Sequence, residues 1–130
     1  MRARVAQARV ARLATVRPHG RPHLVPCCFV LSDEVLYSAV DTKPKSTVAL
    51  RRLDNIRAVP WAAMLIDQYD DDDWTALWWV RIDGRARLID SGPEFDHALQ
   101  LLAEKYEQYL RDTPPGPVIA IDVTGWRAWP

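Results

Sequence analysis

Residues 40–56 read VDTKPKSTVALRRLDNI. Lys43, Lys45, Arg51 and Arg52 place four cations within ten residues that hold no acid, in a chain of zero formal net charge. Pro44 suits a helix start, and Ser46 or Thr47 can cap it. Ala49, Leu53 and Ile56 then share one helical face, fit to pack on a sheet. Lys45, Val48, Arg52 and Asn55 recur at helical spacing and form a second stripe beside the apolar one. A merely solvated basic face sits opposite the core, whereas this stripe adjoins it. It also lies in the helix's N-terminal half, where free N–H groups and the helix dipole favour an anion. A solvated face and an anion site both fit the run; the stripe's position favours a phosphate.

The segments on either side of this helix read as strands. VARLATV (10–16) and the turn RPHGR (17–21) lead into HLVPCCFVL (23–31), which is apolar on both faces and therefore expected to be central and buried. Pro26 lacks a ladder donor, so that strand is expected to hold a bulge or an unpaired position. SDE (32–34) turns into VLYSAV (35–40), completing a three-strand meander. Beyond the helix come WAAMLIDQY (61–69), the acidic loop DDDDW (70–74) and ALWWVRIDGRARLI (76–89). In the last, Trp78, Val80, Ile82, Gly84, Ala86 and Leu88 alternate with Trp79, Arg81, Asp83, Arg85 and Arg87. That pattern describes a half-buried strand whose second face can meet a partner subunit. A helix is expected over 91–110, with Ser91 and Glu94 at capping-box spacing. TPPGP (113–117) stops it before the closing strand VIAIDVTGWRAW (118–129). The expected fold is mainly β (α+β): one domain, 1–130, a six-stranded antiparallel split β-barrel with peripheral helices.

Composition narrows the function. A pI near 6.8 lacks the basic footprint of a nucleic-acid binder, and no apolar run approaches the roughly 20 residues that span a bilayer. The first 21 residues carry six arginines and no acid, a transit-peptide composition. They run directly into a strand pattern, so they are read as mature protein with a short N-terminal helix. Cys27 and Cys28 are adjacent, and in an extended segment their side chains point apart. They suit neither a mutual disulfide nor a metal site, and are read as small buried residues in a reducing cytoplasm. His19, His23 and His97 form no general-base arrangement, and neither a G-x-S-x-G elbow nor a Walker loop is present. No catalytic side chain is assigned.

In ARLATVRPHGRPHLVPC, in VDTKPK with RRLDNI, and in ALWWVRIDGRA, the chain resembles the split β-barrel flavin-binding superfamily of pyridoxamine-phosphate oxidase. Within it, the chain is most similar to the actinobacterial branch of deazaflavin (coenzyme F420)-dependent oxidoreductases. The resemblance implies a homodimer with the cofactor in a groove shared by two subunits, acting on a small organic substrate. It implies that Lys45 and Arg52 hold the cofactor phosphate, with Asn55 beside them and Lys43 or Arg51 as helpers. It further implies that His23, Val25 and Pro26 lie against the tricyclic ring and that Trp74 closes over it. FMN is the alternative cofactor, because it shares the phosphate and the flat ring. A deazaflavin's longer acidic tail calls for extra cations, for which Arg9, Arg12 and Arg17 are candidates. A non-catalytic flavin carrier and a heme-handling relative are further readings. His23 also reads as a surface residue, Trp74 as a loop anchor, Trp78 and Val80 as core. Trp126 and Trp129 read either as cleft walls or as a core plug.

Overall fold

The computed structural model describes residues 1–40 and 47–130, with the backbone alone for 47–50. Helix α1 (Arg2–Gln7) precedes β1 (Ala11–Val16), β2 (Pro22–Cys27), β3 (Val30–Ser32) and β4 (Val35–Ala39). Helix α2 (Thr47–Ala58) leads to β5 (Trp61–Gln68) and β6 (Trp78–Ile89), which a short 3-10 turn at Trp74–Ala76 separates. Helices α3 (Pro93–Lys105) and α4 (Glu107–Arg111) precede β7 (Val118–Trp129). All pairings are antiparallel, in the order β2-β1-β5-β6-β7-β4-β3.

That order dictates the shape. Strands β2 and β3 lie at opposite edges, yet only Cys28 and Phe29 link them. Three Cα–Cα steps reach at most about 10 Å, whereas six flat strand spacings cover roughly 29 Å. The sheet therefore curls into a split barrel, mainly β with helices at its periphery, in line with the expected fold class.

Two sequence expectations change here. The segment 23–31 is two strands rather than one, which makes seven in all, and β2 is an edge strand rather than a central one. It reads as apolar on both faces because it crosses between two cores. Cys27 is buried with Leu13, Met64 and Ile82, while Cys28 and Val30 pack around Tyr37, Leu102 and Val118. The bulge or unpaired position expected at Pro26 is not found: Pro26 pairs with Arg12 in an unbroken β1–β2 register, on an edge strand where a proline is tolerated. The crossing residue Phe29 is fully buried. Its N–H donates to Tyr106 Oη at 3.1 Å, and its carbonyl accepts from Lys105 Nζ at 2.9 Å.

The helix over 91–110 is likewise two helices, broken at Tyr106, whose backbone is extended. Its hydroxyl is anchored against Phe29 and the Arg9 carbonyl. The capping box does not form: Gly92 is the N-cap, with no side-chain cap bond. Glu94 is drawn away instead, taking two bonds from Arg87 at 2.6 and 2.7 Å and one from Tyr37 Oη at 2.7 Å. A bidentate charged pair outcompetes a single backbone N–H.

The alternation along β6 holds: Val80, Ile82, Gly84 and Ala86 are buried, while Arg81 and Arg85 are exposed. Gly84 is required by space, since a Cβ there would lie 2.5 Å from the Asp122 carbonyl. On α2, Leu53 and Ile56 are buried against the barrel as the helical wheel predicts. Each contributes about 1.5–3 kcal/mol of apolar burial. Val5 of α1 is fully buried, while Arg2 and Arg4 stack on Trp126 and Trp78.

Candidate functional site

The site is built where α2 packs near the turn end of the β1–β2 hairpin. Thr15 of β1 pairs with His23 of β2, and Asn55 Nδ2 donates to Thr15 Oγ1 at 3.1 Å. Both members of that bond are buried. It holds α2 in register over the strand end. Arg51 and Arg52 lie one helical turn earlier. Asn55 therefore acts as the anchor of the basic stripe, pointing into the protein.

Strand alternation puts His23, Val25 and Cys27 on the side facing α2, and Leu24 and Pro26 on the other. His23 is half-buried, and its Nδ1 is shielded from solvent without a hydrogen-bond partner. Burial, followed by the nearby charges of Arg17, Arg52 and Arg51, holds its pKa below the usual value. Arg52 is half-buried as well, and its Nε is shielded and unpartnered. It lines a cavity of about 230 Å³ together with Pro26, Cys27, Cys28, Ala39 and Tyr109. Burial pushes the Cys27 thiol up to about 11, so it stays protonated at neutral pH and inert. Among the described residues no carboxylate pairs with Arg17, Arg51 or Arg52. An orphaned guanidinium N–H and an orphaned imidazole nitrogen beside uncompensated cations form a surface suited to an anion.

The structure thus gathers Arg51, Arg52, Asn55 and His23; Val25 shares their face of β2, packed against the core, while Pro26 lies on the other face and meets Arg52 only as a wall of its cavity. Lys43 and Lys45 lie outside the described residues. Trp74 stands apart, 67% exposed in the turn after β5. By register that turn follows the Gln68–Trp78 pair, while Thr15 aligns with Ala62 at the other end of β5. Of the three tail candidates, only Arg17 reaches the cluster. Arg9 donates to the Lys105 carbonyl and stacks on Tyr106, and Arg12 faces Asp67 on the outer side of the sheet. Trp78 and Val80 belong to the core, as does Trp126, which also donates to Glu34. Trp129 is half exposed.

Two groups escape a reading of the sequence. Arg87 spans Glu94 and Asp122, with Tyr37 completing the set, and so ties α3 to β4, β6 and β7. Arg87 sits on the polar side of the β6 alternation, which identifies its face but not its partners. Lys105 lies over the Phe29 ring at 3.9 Å, and burial, with Arg9 nearby, lowers its pKa to about 8. Among the described residues no group of three or more His, Cys, Asp or Glu could hold a metal. No helix among them is long and apolar enough to cross a membrane.

The outer face of the sheet carries an apolar patch beside the charged residues Arg12, Asp67, Arg81 and Arg85. Leu24, Trp61 and Leu65 are exposed there, and a trough of about 330 Å³ runs past Ala14, Val16, Pro22, Trp61, Ala63 and Asp83.

Among solved structures, a FAD-binding protein from Mesorhizobium loti is 21% identical, with 98% of this chain and 89% of that one covered and a TM-score of 0.73. An F420 reductase is 24% identical, with 96% and 94% covered and a TM-score of 0.67. HutZ, the heme storage protein from Vibrio cholerae, is 15% identical, with 95% and 87% covered and a TM-score of 0.71. At these identities the likeness is one of fold. Comparison with curated proteins gave no match. The family model for pyridoxamine 5'-phosphate oxidase matches residues 1–130, end to end, and the chain belongs to that family.

Proposed function

We propose that this protein is an oxidoreductase that binds coenzyme F420, a phosphate-bearing deazaflavin, and works as a homodimer on a small organic substrate. The observation that carries the reading is Arg52: a half-buried guanidinium with a shielded, unpartnered Nε, lining a cavity with Pro26, Cys27 and Cys28 at the end of β2, its charge acting on His23. An anionic phosphate satisfies that N–H by a charge-assisted bond. The chain's own groups fit the cofactor in kind: cations for the phosphate, and a strand carrying Val25 and Pro26 for the ring. Arg17 supports the deazaflavin over FMN, because it adds a cation beyond those one phosphate needs. An F420 reductase among the similar folds points the same way.

When bound, the deazaflavin supplies a hydride from the central carbon of its ring. The protein's part is to hold the anionic end with Arg52, Arg51 and Arg17, to seat the ring on β2, and to exclude water. Asn55 fixes the helix that carries the arginines.

The homodimer rests on two features. The Arg52 cavity, about 230 Å³, is smaller than the roughly 300–1,000 Å³ of a drug-sized ligand site, so one chain supplies only part of the wall. The apolar patch of Leu24, Trp61 and Leu65 on the outer face is the surface that a second copy covers, since exposed patches of this kind mark interfaces.

The test is a titration of purified protein with oxidised F420 and with FMN, followed by steady-state oxidation of reduced F420. Tight F420 binding with turnover supports the reading. Preferential FMN binding replaces the cofactor, and binding of neither removes it.

A further inference from the structure

Resting on the anion-binding reading above, we propose that His23 is a neutral imidazole before the cofactor's anionic group binds and a protonated donor afterwards, so that binding takes up a proton.

His23 and Thr15 are paired across β1 and β2, and both face α2. Asn55 closes that side by its bond to Thr15, so the imidazole is confined between the strand end and the helix. The charged groups of the described residues that face it are Arg17 from the β1–β2 turn and Arg51 and Arg52 from α2. Thr15, from β1, and Asn55, from α2, are neutral. Among the described residues every formal charge around the imidazole is positive, and its shielded Nδ1 has no partner. A fourth cation in that setting is repelled, and the ring stays neutral at physiological pH.

A phosphate or carboxylate entering among the arginines reverses the sign of the local field. It also offers Nδ1 an acceptor, which only the protonated ring, with a proton on both nitrogens, can use without losing its other N–H. The proton comes from solvent and no covalent step is involved. The sign follows from linkage: the imidazole's pKa is higher in the complex than in the protein alone. Affinity is therefore greatest below the free-protein pKa, and falls as pH rises through the pKa of the complex. A rise of one pH unit in that pKa corresponds to a tenfold loss of affinity across the window.

The test follows the His23 imidazole signal by NMR across pH 4.5–9. The protein is measured alone, with inorganic phosphate and with oxidised F420, the signal being assigned by its disappearance in His23→Gln. The expected result is an upward displacement of its titration by about one unit with either ligand. The companion result is a roughly tenfold fall in wild-type affinity with rising pH that is flattened in His23→Gln. Comparing the two proteins cancels any titration of the ligand itself. An imidazole titration unmoved by both ligands, or an equal slope in His23→Gln, overturns the proposal. A displacement by phosphate without F420 or FMN binding sinks the cofactor reading and leaves the proton uptake standing.

Discussion

Asn55 of α2 and Thr15 of β1 share a hydrogen bond of 3.1 Å with both residues buried, so the helix bearing the basic stripe is tied to the strand that pairs with β2. Removing one partner strands the other in an apolar setting. Asn55→Ala is expected to lower stability by about 1–3 kcal/mol, the usual penalty for an unsatisfied buried group. The double variant Asn55→Leu with Thr15→Val is expected to recover part of that loss. Urea unfolding of the two variants measures it; a double variant no more stable than Asn55→Ala means the bond is energetically irrelevant.

Arg52→Ala is expected to weaken cofactor binding by about 1.5–3 kcal/mol, the worth of a charge-assisted hydrogen bond. Arg52→Lys keeps the charge but not the Nε donor, so it is expected to fall between the two. Fluorescence titration of both variants decides, and unchanged affinity in Arg52→Ala takes that residue out of the site.

Gly84→Ala places a methyl 2.5 Å from the Asp122 carbonyl and from Ile121 Cγ2. Backbone cannot yield as a flexible side chain can, so β6 and β7 must move apart where their register shifts. The expected loss is about 1–3 kcal/mol of overpacking strain, read as a lower Tm by calorimetry. An unchanged Tm means that the strands already have slack at that point.

Hydrogen bonds from Arg87, then Tyr37, hold the Glu94 carboxyl down at about 2. A carboxylate depressed by folding stabilises the protein above its unfolded value, and that contribution is lost as pH falls from about 4.5 towards 2. The pair is partly exposed, so solvent screens much of the gain. Glu94→Gln is expected to flatten the acid limb of the stability profile in that window while leaving the neutral region less stable than wild type. Acid unfolding followed by circular dichroism tests this, and coincident acid limbs count against it.

Trp61 is 54% exposed on the outer sheet face beside the Ala14–Ala63 trough. Trp61→Lys is expected to turn the proposed dimer into monomer by burying at the contact a cation that its cross-strand neighbour Arg85 repels. Analytical ultracentrifugation reads the outcome. A wild-type monomer at high protein concentration removes the dimer itself, and a dimeric variant moves the contact elsewhere.

Local pattern carried much of this protein. The period-two alternation of residues 78–88 identifies a half-buried strand, and the period of Leu53 and Ile56 identifies the face α2 turns to the barrel. The adjacency of the basic stripe to that face points to an anion site, because i, i+3 and i, i+4 positions share a helix side whatever the helix packs on. Chain-distant choices were not available in the same way. The double apolar face of 23–31 looks like a central strand until the sheet order shows it crossing between two edges. Glu94 has capping-box spacing, yet Arg87 and Tyr37, brought near by strand pairing, offer it stronger bonds. Likewise Arg9, Arg12 and Arg17 are equivalent cations in a string of letters. Only the curl of the sheet sends one to a helix end, one to the outer face and one to His23, because which charges meet is set by closure of the barrel, and no short window of sequence contains that closure.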